Sequence, residues 1–394
     1  MGIKIKNCRE CNICKLVLCP SGNVKRAFSQ GKCFECGACT LACPYKAIKL
    51  DKTRKEKVRV TVDGKPVKVA GLVKDALKAA GIDMGKSPKN TIFMPCECGG
   101  CWACAVKING KIALSCITPL SDGMEIETGI KAPLRVISGF GAHMVGGVGT
   151  PYYLKNSIRP IEVVGFTHGC NLRCPQCQNH RIAFTAKAQL LEPKETANIL
   201  LGLESIYGTG TITLSGGECT LNKKWLLETI KSIKKERRVN IHIDTNGTIL
   251  NPTYIDQLVE NGMTQIGIDL KALKTRTFQH ITGIKDKKIA KEYLKNSWNA
   301  TEYINNNYEE EVYLGVGIPY NKKLITIKEI KRMAAKIRKI NPEIQVCVLD
   351  YRPEFRRQNI KRPSFDEMIQ IKKLLNNEGL RTVIVQTTHG HIGP

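Results

Sequence analysis

Residues 161–178 have the sequence IEVVGFTHGCNLRCPQCQ, in which a β-rich run leads directly into a loop with three cysteines. The spacing of the loop is Cys170-x3-Cys174-x2-Cys177. Three thiolates on one short loop can hold three irons of a [4Fe-4S] cubane and leave the fourth iron open, as an open position distinguishes catalytic from structural zinc. The stretch therefore predicts a reactive cluster just after a strand.

Short β-rich runs alternate with helical runs from this point to the end of the chain. The β-rich runs cover residues 161–166, 211–214, 241–243, 265–268, 312–318, 344–349 and 382–385. Strands separated by helices indicate βαβ units and a parallel sheet, closed or partly closed. We therefore predict an α/β fold whose function lies at the carboxyl ends of its strands.

Three short polar motifs stand at successive predicted strand ends. SGGE follows the second strand at 215–218, DTNG ends the third at 244–247, and DLK ends the fourth at 269–271. The paired glycines allow a ligand to approach the backbone closely. Each motif is weak alone, but their order after a three-cysteine loop forms a specific pattern.

This pattern resembles the radical S-adenosylmethionine (SAM) enzymes over roughly residues 160–390, and within them the pyruvate formate-lyase-activating branch. The DYRP motif at 350–353 and the tail around it look like the AmmeMemoRadiSam relatives of that branch. The resemblance implies a partial (β/α) TIM-like barrel of the radical SAM type, with Cys170, Cys174 and Cys177 as catalytic cluster ligands. Gln176 departs from the family, which usually has an aromatic residue there to contact the adenine.

The resemblance also assigns the strand-end residues. The SGGE motif would bind the methionyl amino group of SAM, and two aspartates with a threonine would help to hold a monovalent cation beside it. The residues that correspond to the SAM and cation site are Gly216, Gly217, Glu218, Asp244, Thr245, Asp269 and Lys271.

The amino-terminal segment contains an internal repeat of cysteines with an offset of 25 residues. Its two halves are Cys8-x2-Cys11-x2-Cys14-x4-Cys19-Pro20 and Cys33-x2-Cys36-x2-Cys39-x3-Cys43-Pro44. The repeat resembles bacterial two-cluster ferredoxins, in which the cysteine before proline ligates the other cluster. The expected ligand sets are Cys8, Cys11, Cys14 with Cys43, and Cys33, Cys36, Cys39 with Cys19. The first half has one extra residue before its Cys-Pro, and a pair of zinc knuckles is the alternative.

A third cysteine pattern follows a predicted hairpin and helix. Asp63-Gly64 supplies the turn of the hairpin, and Cys96-x4-Cys101-x2-Cys104-x11-Cys116 comes after the helix. This spacing matches plant-type [2Fe-2S] ligation. The stretch resembles the β-grasp ferredoxins of succinate dehydrogenase iron-sulfur subunits. Cys98 lies outside the spacing, and we interpret it as a spare thiol rather than as an alternative to Cys96.

The remaining candidates have ordinary structural interpretations. We expect Cys219 to pack under a strand end, with a role in the site as the alternative, and Cys347 to lie in a core strand. His389 and His391 are predicted to belong to a mobile terminal tail, with a position in the active site as the alternative. The predicted domains are a two-[4Fe-4S] ferredoxin-like domain at 1–55, a [2Fe-2S] β-grasp domain at 56–130, a linker at 131–160 and a radical SAM domain at 161–394.

The chain has 18 cysteines and a formal net charge of +26. Such cysteine density indicates metal binding in a reducing compartment, so we expect a cytoplasmic protein. The apolar runs are short, so we expect no membrane segment, and Lys4, Lys6 and Cys8 leave no room for the apolar region of a signal peptide. Excess positive charge would suit an acidic protein substrate or electron donor, but because Lys and Arg are spread along the whole chain, we favour an ordinary solvated surface. No nucleic-acid motif accompanies it, so we expect no nucleic-acid partner.

These features together predict a radical SAM enzyme that cleaves SAM to a 5′-deoxyadenosyl radical and abstracts hydrogen from a substrate. Its cofactors would be three [4Fe-4S] clusters, one [2Fe-2S] cluster, SAM and a monovalent cation, with the ferredoxin domains supplying electrons. The leading hypothesis is an activase of a glycyl-radical enzyme. Modification of another peptide or a small molecule is the alternative, and an electron-transfer subunit without SAM chemistry is a hypothesis of a different class.

Overall fold

A computed structural model describes residues 3–51, 55–155 and 158–394. Contacts divide the chain into two compact units. The first unit extends up to Ser138 and also includes Thr167–Asn171 and Asn179–Glu192. The second unit consists of Gly139–Phe166, Leu172–Gln178 and Pro193–Pro394. Within the described ranges, no helix is long and apolar enough to cross a membrane.

The amino-terminal part of the first unit is a small α+β fold around the cysteine repeat. Its elements are β1 (Ile3–Ile5), α1 (Val24–Ser29), α2 (Ala38–Ala42) and β2 (Ile48–Leu50). Strands β1 and β2 pair antiparallel, with Lys4 opposite Lys49. Asn23 begins α1, because its side chain accepts a hydrogen bond from the backbone N–H of Arg26. The two cysteine runs thus lie, in sequence, between two paired strands, with Cys39 in α2.

The next part of the first unit is a five-stranded sheet with a helix across it. Its elements are β3 (Val58–Val62), β4 (Lys65–Val69), α3 (Val73–Ala79), β5 (Met84–Gly85), β6 (Ile92–Phe93), β7 (Ala105–Ile108), β8 (Lys111–Leu114) and β9 (Met124–Glu127). The sheet order is β4-β3-β9-β7-β8, and β5 pairs with β6 separately. The Asp63-Gly64 and Asn109-Gly110 turns have positive φ at both residues, as a two-residue hairpin requires.

The first unit ends with β10 (Arg135–His143), α4 (His180–Ala183) and β12 (Gln189–Leu191), and the boundary between the units falls within β10. Arg135, Val136 and Ile137 of β10 pair antiparallel with β12. The backbone N–H of His168 donates to Val136, which joins β10 to the end of the next strand. The predicted linker at 131–160 therefore contains a nine-residue strand.

The second unit contains the predicted parallel sheet. Its strands are β11 (Glu162–Thr167, with Thr167 counted in the first unit), β13 (Thr211–Gly216), β14 (Asn240–Thr245), β15 (Gln265–Asp269), β16 (Tyr313–Tyr320), β17 (Gln345–Asp350), β18 (Val383–Thr387) and β19 (Gly390–Ile392). They follow one another in this order across the sheet. Each pair from β13 to β18 is parallel. The prediction of a partial barrel built from βα units is confirmed.

Helices cover this sheet between its strands. They are α5 (Pro193–Tyr207), α6 (Lys223–Glu236), α7 (Pro252–Glu260), α8 (Thr275–Thr282), α9 (Lys287–Tyr308), α10 (Ile327–Ile340) and α11 (Phe365–Asn377). In α10 the buried residues Ile330, Met333, Ala334 and Ile337 recur at helical spacing and form one apolar face. The strands are buried almost throughout, which explains their near-continuous apolar runs.

The segment Gly146–Thr150, which we call the strap, packs on the strands of the second unit. A Cβ on Gly149 would lie 2.3 Å from the carbonyl carbon of Ile266, so only glycine permits this approach. Gln345 donates from Nε2 to the carbonyls of Val148 and Thr150 at 2.8 and 2.9 Å. The strap lies within the predicted linker, whose composition gave no sign of this packing.

The carboxyl-terminal residues also differ from the expected mobile tail. Strand β19 pairs antiparallel with β18, with His391 opposite Gln386. Burial, reinforced by the charges of Lys155 and His143, lowers the pKa of His391 to about 4. Backbone pairing with β18 thus holds residues 390–392 in a strand, which the sequence alone did not indicate.

Glu162 connects the strap to two histidines in the second unit. It accepts a hydrogen bond from Thr150 at 2.8 Å, and its carboxylate oxygens lie 2.8 Å from Nδ1 of His143 and 3.3 Å from Nδ1 of His242. Burial alone would raise the pKa of Glu162, but the two histidines outweigh it and hold this pKa well below the usual range. A depressed folded-state pKa stabilises the fold above the ordinary carboxyl pKa, and this contribution disappears as pH falls through the folded value.

We therefore expect Glu162→Gln to lower the free energy of unfolding by about 1–3 kcal/mol at neutral pH, because it weakens hydrogen bonds to a buried charge. Calorimetric melting of the full chain measures this, with the exposed Glu310→Gln as the control. The difference between Glu162→Gln and wild type should shrink in acid. Equal melting of both variants at neutral pH would contradict the role of Glu162.

Candidate functional site

The eight amino-terminal cysteines line two cavities in the first unit. Cys8, Cys11, Cys14 and Cys43 line one cavity, and we call them the first set. Cys19, Cys33, Cys36 and Cys39 line the other, and we call them the second set. Both cavities also share Val24 in their walls. The grouping is the crossed one that the repeat predicts, so the geometry fits two clusters; the ligand roles stay a prediction.

Burial makes the thiolate forms of these cysteines costly without metal. It raises the pKa of Cys39 to about 12, and the neighbouring thiols Cys36, Cys33 and Cys19 add to the effect. A metal ligand must be deprotonated, so metal binding would release protons here. Among the described residues, no three His, Cys, Asp or Glu side chains form a single-ion site.

The four cysteines of the predicted [2Fe-2S] site form a buried group, which we call the four-cysteine pocket (Cys96, Cys101, Cys104 and Cys116). Hydrogen bonds from the thiols of Cys101 and Cys98 lower the pKa of Cys96, and burial raises the pKa of Cys101. Cys104 and Cys116 share a similar hydrogen bond. The structure therefore brings the four predicted ligands together.

The three cysteines outside the predicted ligand sets are all buried. Cys98 lies beside Cys96, and its thiol is 3.9 Å from the carbonyls of Ala183 and Thr185. Cys219 donates to the backbone carbonyl of Asp244 at 3.5 Å, so it packs under a strand end. Cys347 contacts the strap carbonyl of Val148 at 3.6 Å. These positions agree with their structural interpretations.

The three-cysteine loop, residues 170–177, which we call the cysteine loop, follows β11. Cys170 belongs to the Thr167–Asn171 segment of the first unit, whereas Cys174 and Cys177 belong to the Leu172–Gln178 segment of the second. Burial raises the pKa of Cys174, while the charge of Lys271 acts in the opposite direction. The second unit thus places a fixed cation near one predicted ligand of the reactive cluster.

Gln176, which replaces the usual aromatic residue, holds the cysteine loop in position. Its Nε2 donates to the carbonyl of Ile281 at 2.8 Å, and its Oε1 accepts from Arg357 at 2.9 Å. Arg357 also donates to the carbonyl of His280. A phenylalanine side chain could make neither hydrogen bond, so Gln176 has a positioning role here. Arg357 lies 181 residues away, and no motif in the sequence connects it with the cysteine loop.

Glu218 connects the ends of β13 and β14. Its buried carboxylate accepts from the hydroxyls of Thr220 and Thr245, each at 2.6 Å, and from the backbone N–H of Asn246 at 2.8 Å. Burial raises the pKa of Glu218, and these hydrogen bonds oppose that rise. The SGGE and DTNG motifs therefore form one hydrogen-bonded unit at the strand ends.

Two aspartates lie at the same edge of the sheet. Asp244 accepts from the hydroxyl of Ser215 at 2.8 Å, and burial raises its pKa. Asp269 accepts from Lys271 at 2.5 Å through Oδ2, whereas its buried Oδ1 has no hydrogen-bond partner among the described residues. An unpartnered carboxylate oxygen beside a second buried carboxylate fits a monovalent cation.

Lys271 completes this edge. Its ammonium also donates to the hydroxyl of Tyr351 at 2.8 Å. Burial alone would lower the pKa of Lys271, but Asp269, Tyr351 and Cys174 together outweigh burial and raise this pKa well above the ordinary value. Tyr351 belongs to the DYRP motif, which the resemblance noted without giving the residue a role.

We expect Glu218→Gln to weaken SAM binding by roughly tenfold or more, because an amide nitrogen would face the donors that the carboxylate now accepts from. Equilibrium dialysis with the cluster-loaded protein measures the affinity. The exposed Glu236→Gln on α6 should bind SAM as wild type does. Unchanged affinity in Glu218→Gln would remove Glu218 from the binding site.

Asp269→Asn should abolish any dependence of SAM affinity on potassium, because the neutral amide loses the charge that holds the cation. Wild type should bind SAM more tightly in potassium chloride than in choline chloride of equal ionic strength. The same affinity in both salts for wild type would contradict the cation site.

Three family models match the chain. Radical SAM superfamily matches residues 164–325, the 2Fe-2S iron-sulfur cluster binding domain matches 55–130, and the 4Fe-4S binding domain matches 27–49. The prediction of a radical SAM domain joined to ferredoxin-type domains is therefore confirmed. The 4Fe-4S match covers the second half of the cysteine repeat.

Curated relatives match a segment of the chain. A protein of Methanocaldococcus jannaschii named as a glycyl-radical enzyme activating enzyme is 33% identical over 29% of this chain and 44% of its own length. GTP 3',8-cyclase of Synechocystis sp. is 30% identical over 32% of this chain and 37% of its own length. The chain thus spans less than half the length of these relatives.

A solved structure, Streptococcus suis SuiB bound to precursor peptide SuiA, matches with a TM-score of 0.45 and 16% identity. The match covers 59% of this chain and 50% of that one.

Proposed function

Because the chain contains a Radical SAM superfamily domain together with 2Fe-2S and 4Fe-4S domains, we propose that it is a radical SAM enzyme that activates a glycyl-radical enzyme. When bound at Cys170, Cys174 and Cys177, the cluster would supply one electron for the cleavage of SAM to a 5′-deoxyadenosyl radical. The observation that carries the proposal is the edge of strand ends at which Glu218 accepts from Thr245 and Asp244 and Asp269 lie near each other.

The residues of this edge would bind and orient SAM. Glu218 would fix the SGGE backbone against β14, so that Gly216 and Gly217 present a surface without side chains. Asp244 and Asp269 would hold the cation. Lys271, kept protonated by Asp269, would remain a fixed positive charge near Cys174. Burial of these groups strengthens their electrostatic effect, because little water screens them.

The proposed substrate is a glycine residue of a partner protein, from which the radical removes one hydrogen atom. The relative named as a glycyl-radical enzyme activating enzyme supports this reaction class. The net charge of +26 suits an acidic partner. The proposed complement of three [4Fe-4S] clusters, one [2Fe-2S] cluster and a monovalent cation follows from the cysteine groups and the strand-end carboxylates.

A second candidate is radical modification of a small molecule or another peptide. The similarity to a GTP 3',8-cyclase favours a nucleotide within this class. An electron-transfer subunit without SAM chemistry predicts instead that no 5′-deoxyadenosine forms. These candidates differ in their product, so one series of assays separates them.

We expect the anaerobically reconstituted, dithionite-reduced chain to produce 5′-deoxyadenosine from SAM, and Cys174→Ala to produce none, because the cluster loses a ligand. Chromatography measures the product. Cys347→Ala removes a core cysteine outside the ligand sets and should retain the activity. No product from the fully loaded wild type would favour the electron-transfer hypothesis.

The substrate class is tested next with the same protein. An organic radical signal from a partner protein in electron paramagnetic resonance (EPR) would support the activase, provided that α-deuteration of the partner's glycine changes the hyperfine splitting of the signal. Transfer of deuterium from labelled GTP to 5′-deoxyadenosine, without formation of a glycyl radical, would contradict the activase and favour the second candidate.

A further inference from the structure

Within the first unit, the loop that carries Cys96 and Cys101 is in close backbone contact with His168 and Gly169, the two residues just before the cysteine loop. A Cβ on Gly100 would lie 2.8 Å from both the backbone nitrogen of Gly169 and the carbonyl carbon of His168. A Cβ on Gly169 would lie 3.0 Å from Cβ of Cys96 and 3.2 Å from its Sγ. Gly169 immediately precedes Cys170, so the lack of side chains at Gly100 and Gly169 lets the two segments that carry predicted ligands approach closely.

Arg135 fixes this contact from the buried side. Its guanidinium donates to the carbonyl of Cys101 at 3.4 Å, to the hydroxyl of Thr167 at 3.3 Å and to the carbonyl of His168 at 2.8 Å. Arg135 is fully buried. One side chain therefore holds the pocket loop and the segment before Cys170 together, and it places a positive charge beside the pocket thiolates.

The loop that carries the four-cysteine pocket also contacts the residue before Cys19 of the second set. A Cβ on Gly99 would lie 3.2 Å from Cδ2 of Leu18, which precedes Cys19 of that set. Lys74 donates its backbone N–H to the carbonyl of Ser115, next to Cys116, at 3.1 Å. The charge of Lys74 also acts on Cys36 of the second set. The second set therefore lies beside the pocket, within the same unit.

We propose that the cluster in the four-cysteine pocket would pass electrons directly to the cluster of the cysteine loop. Electrons would move from the cluster of the first set to that of the second set, then to the four-cysteine pocket and finally to the cluster at Cys170. The inference rests on the proposed function and adds to it the order of the centres. Each transfer moves one electron and no atom, so the donor iron is oxidised by one unit and the acceptor iron is reduced by one unit. The electron enters from a reduced one-electron carrier outside the chain, which is thereby oxidised.

The order of the centres is tested by EPR relaxation on the fully loaded chain reduced with dithionite and without SAM. A fast-relaxing [4Fe-4S] spin nearby raises the microwave power needed to saturate the [2Fe-2S] signal. We expect Cys174→Ala to lower this half-saturation power several-fold, and Cys39→Ala to lower it as well. Cys11→Ala, in the first set, should leave it close to the wild-type value. An unchanged value in Cys174→Ala would overturn the proposal.

A second variant tests the backbone contact without removing a ligand. Gly100→Ala should slow the arrival of electrons at the cysteine loop several-fold in freeze-quench EPR, because its methyl group separates the two loops. The second set should be reduced at the wild-type rate. Gly202→Ala on α5, where a Cβ meets nothing within 4 Å, is the matched control. An unchanged rate in Gly100→Ala would contradict direct transfer from the pocket.

Arg135 is a positioning residue, and its test uses the reduction potential. Arg135→Gln should lower the midpoint potential of the [2Fe-2S] signal, because the reduced pocket carries more negative charge and loses a buried cation. Arg135→Lys should restore most of the wild-type potential. Equal potentials in wild type and Arg135→Gln would remove Arg135 from this role.

The failures of the two proposals are distinguishable. A loaded wild type that forms no 5′-deoxyadenosine contradicts the proposed function, whereas the relaxation and rate measurements need no SAM. If wild type produces 5′-deoxyadenosine but Cys174→Ala leaves the half-saturation power of the [2Fe-2S] signal unchanged, the proposed order of the centres is contradicted and the proposed function is not.

Discussion

Parallel strands all end at the same edge of a sheet, and the candidate SAM site depends on this constraint. Strands β13, β14 and β15 are neighbours in parallel register, so the motifs that follow them meet although up to 50 residues of chain separate them. The carboxylate of Glu218 completes the arrangement, because it accepts hydrogen bonds from the end of β14 while it belongs to the end of β13. Loss of the register would separate every predicted SAM contact from the others.

Buried charge imposes a second constraint on the same edge. The charge of Asp269 adds to burial in raising the pKa of Asp244, and each of the two carboxylates has a neighbour that donates a hydrogen bond to it. Ser215 donates to one carboxylate and Lys271 to the other. The remaining oxygen of Asp269 has no partner in the described part of the chain, which leaves room for a cation. The site thus combines a rigid frame with one unsatisfied group.

In each unit, glycine residues allow two backbone segments to pack in close contact. In the first unit Gly100 and Gly169 bring a predicted [2Fe-2S] loop against the residue before Cys170. In the second unit Gly149 of the strap lies against Gly267, with 2.5 Å between the Gly149 nitrogen and a Cβ built on Gly267. A side chain at these positions would collide with backbone atoms, which cannot move aside as a flexible side chain can. Glycine therefore determines how near these segments come.

The cluster loops, the alternation of strands and helices and the strand-end motifs could all be predicted from the sequence. These features are local, since a cluster loop, a hairpin turn or an apolar strand leaves its pattern in a few consecutive residues. Only the tertiary structure decided the partners of Gln176 and Lys271, which are Arg357 and Tyr351, at separations of 181 and 80 residues. The tertiary structure also places the Gly-rich strap on the sheet, and it lets Arg135 bind the carbonyls of both Cys101 and His168. Such contacts depend on which surfaces meet after folding, and no periodicity or spacing along the chain records that meeting.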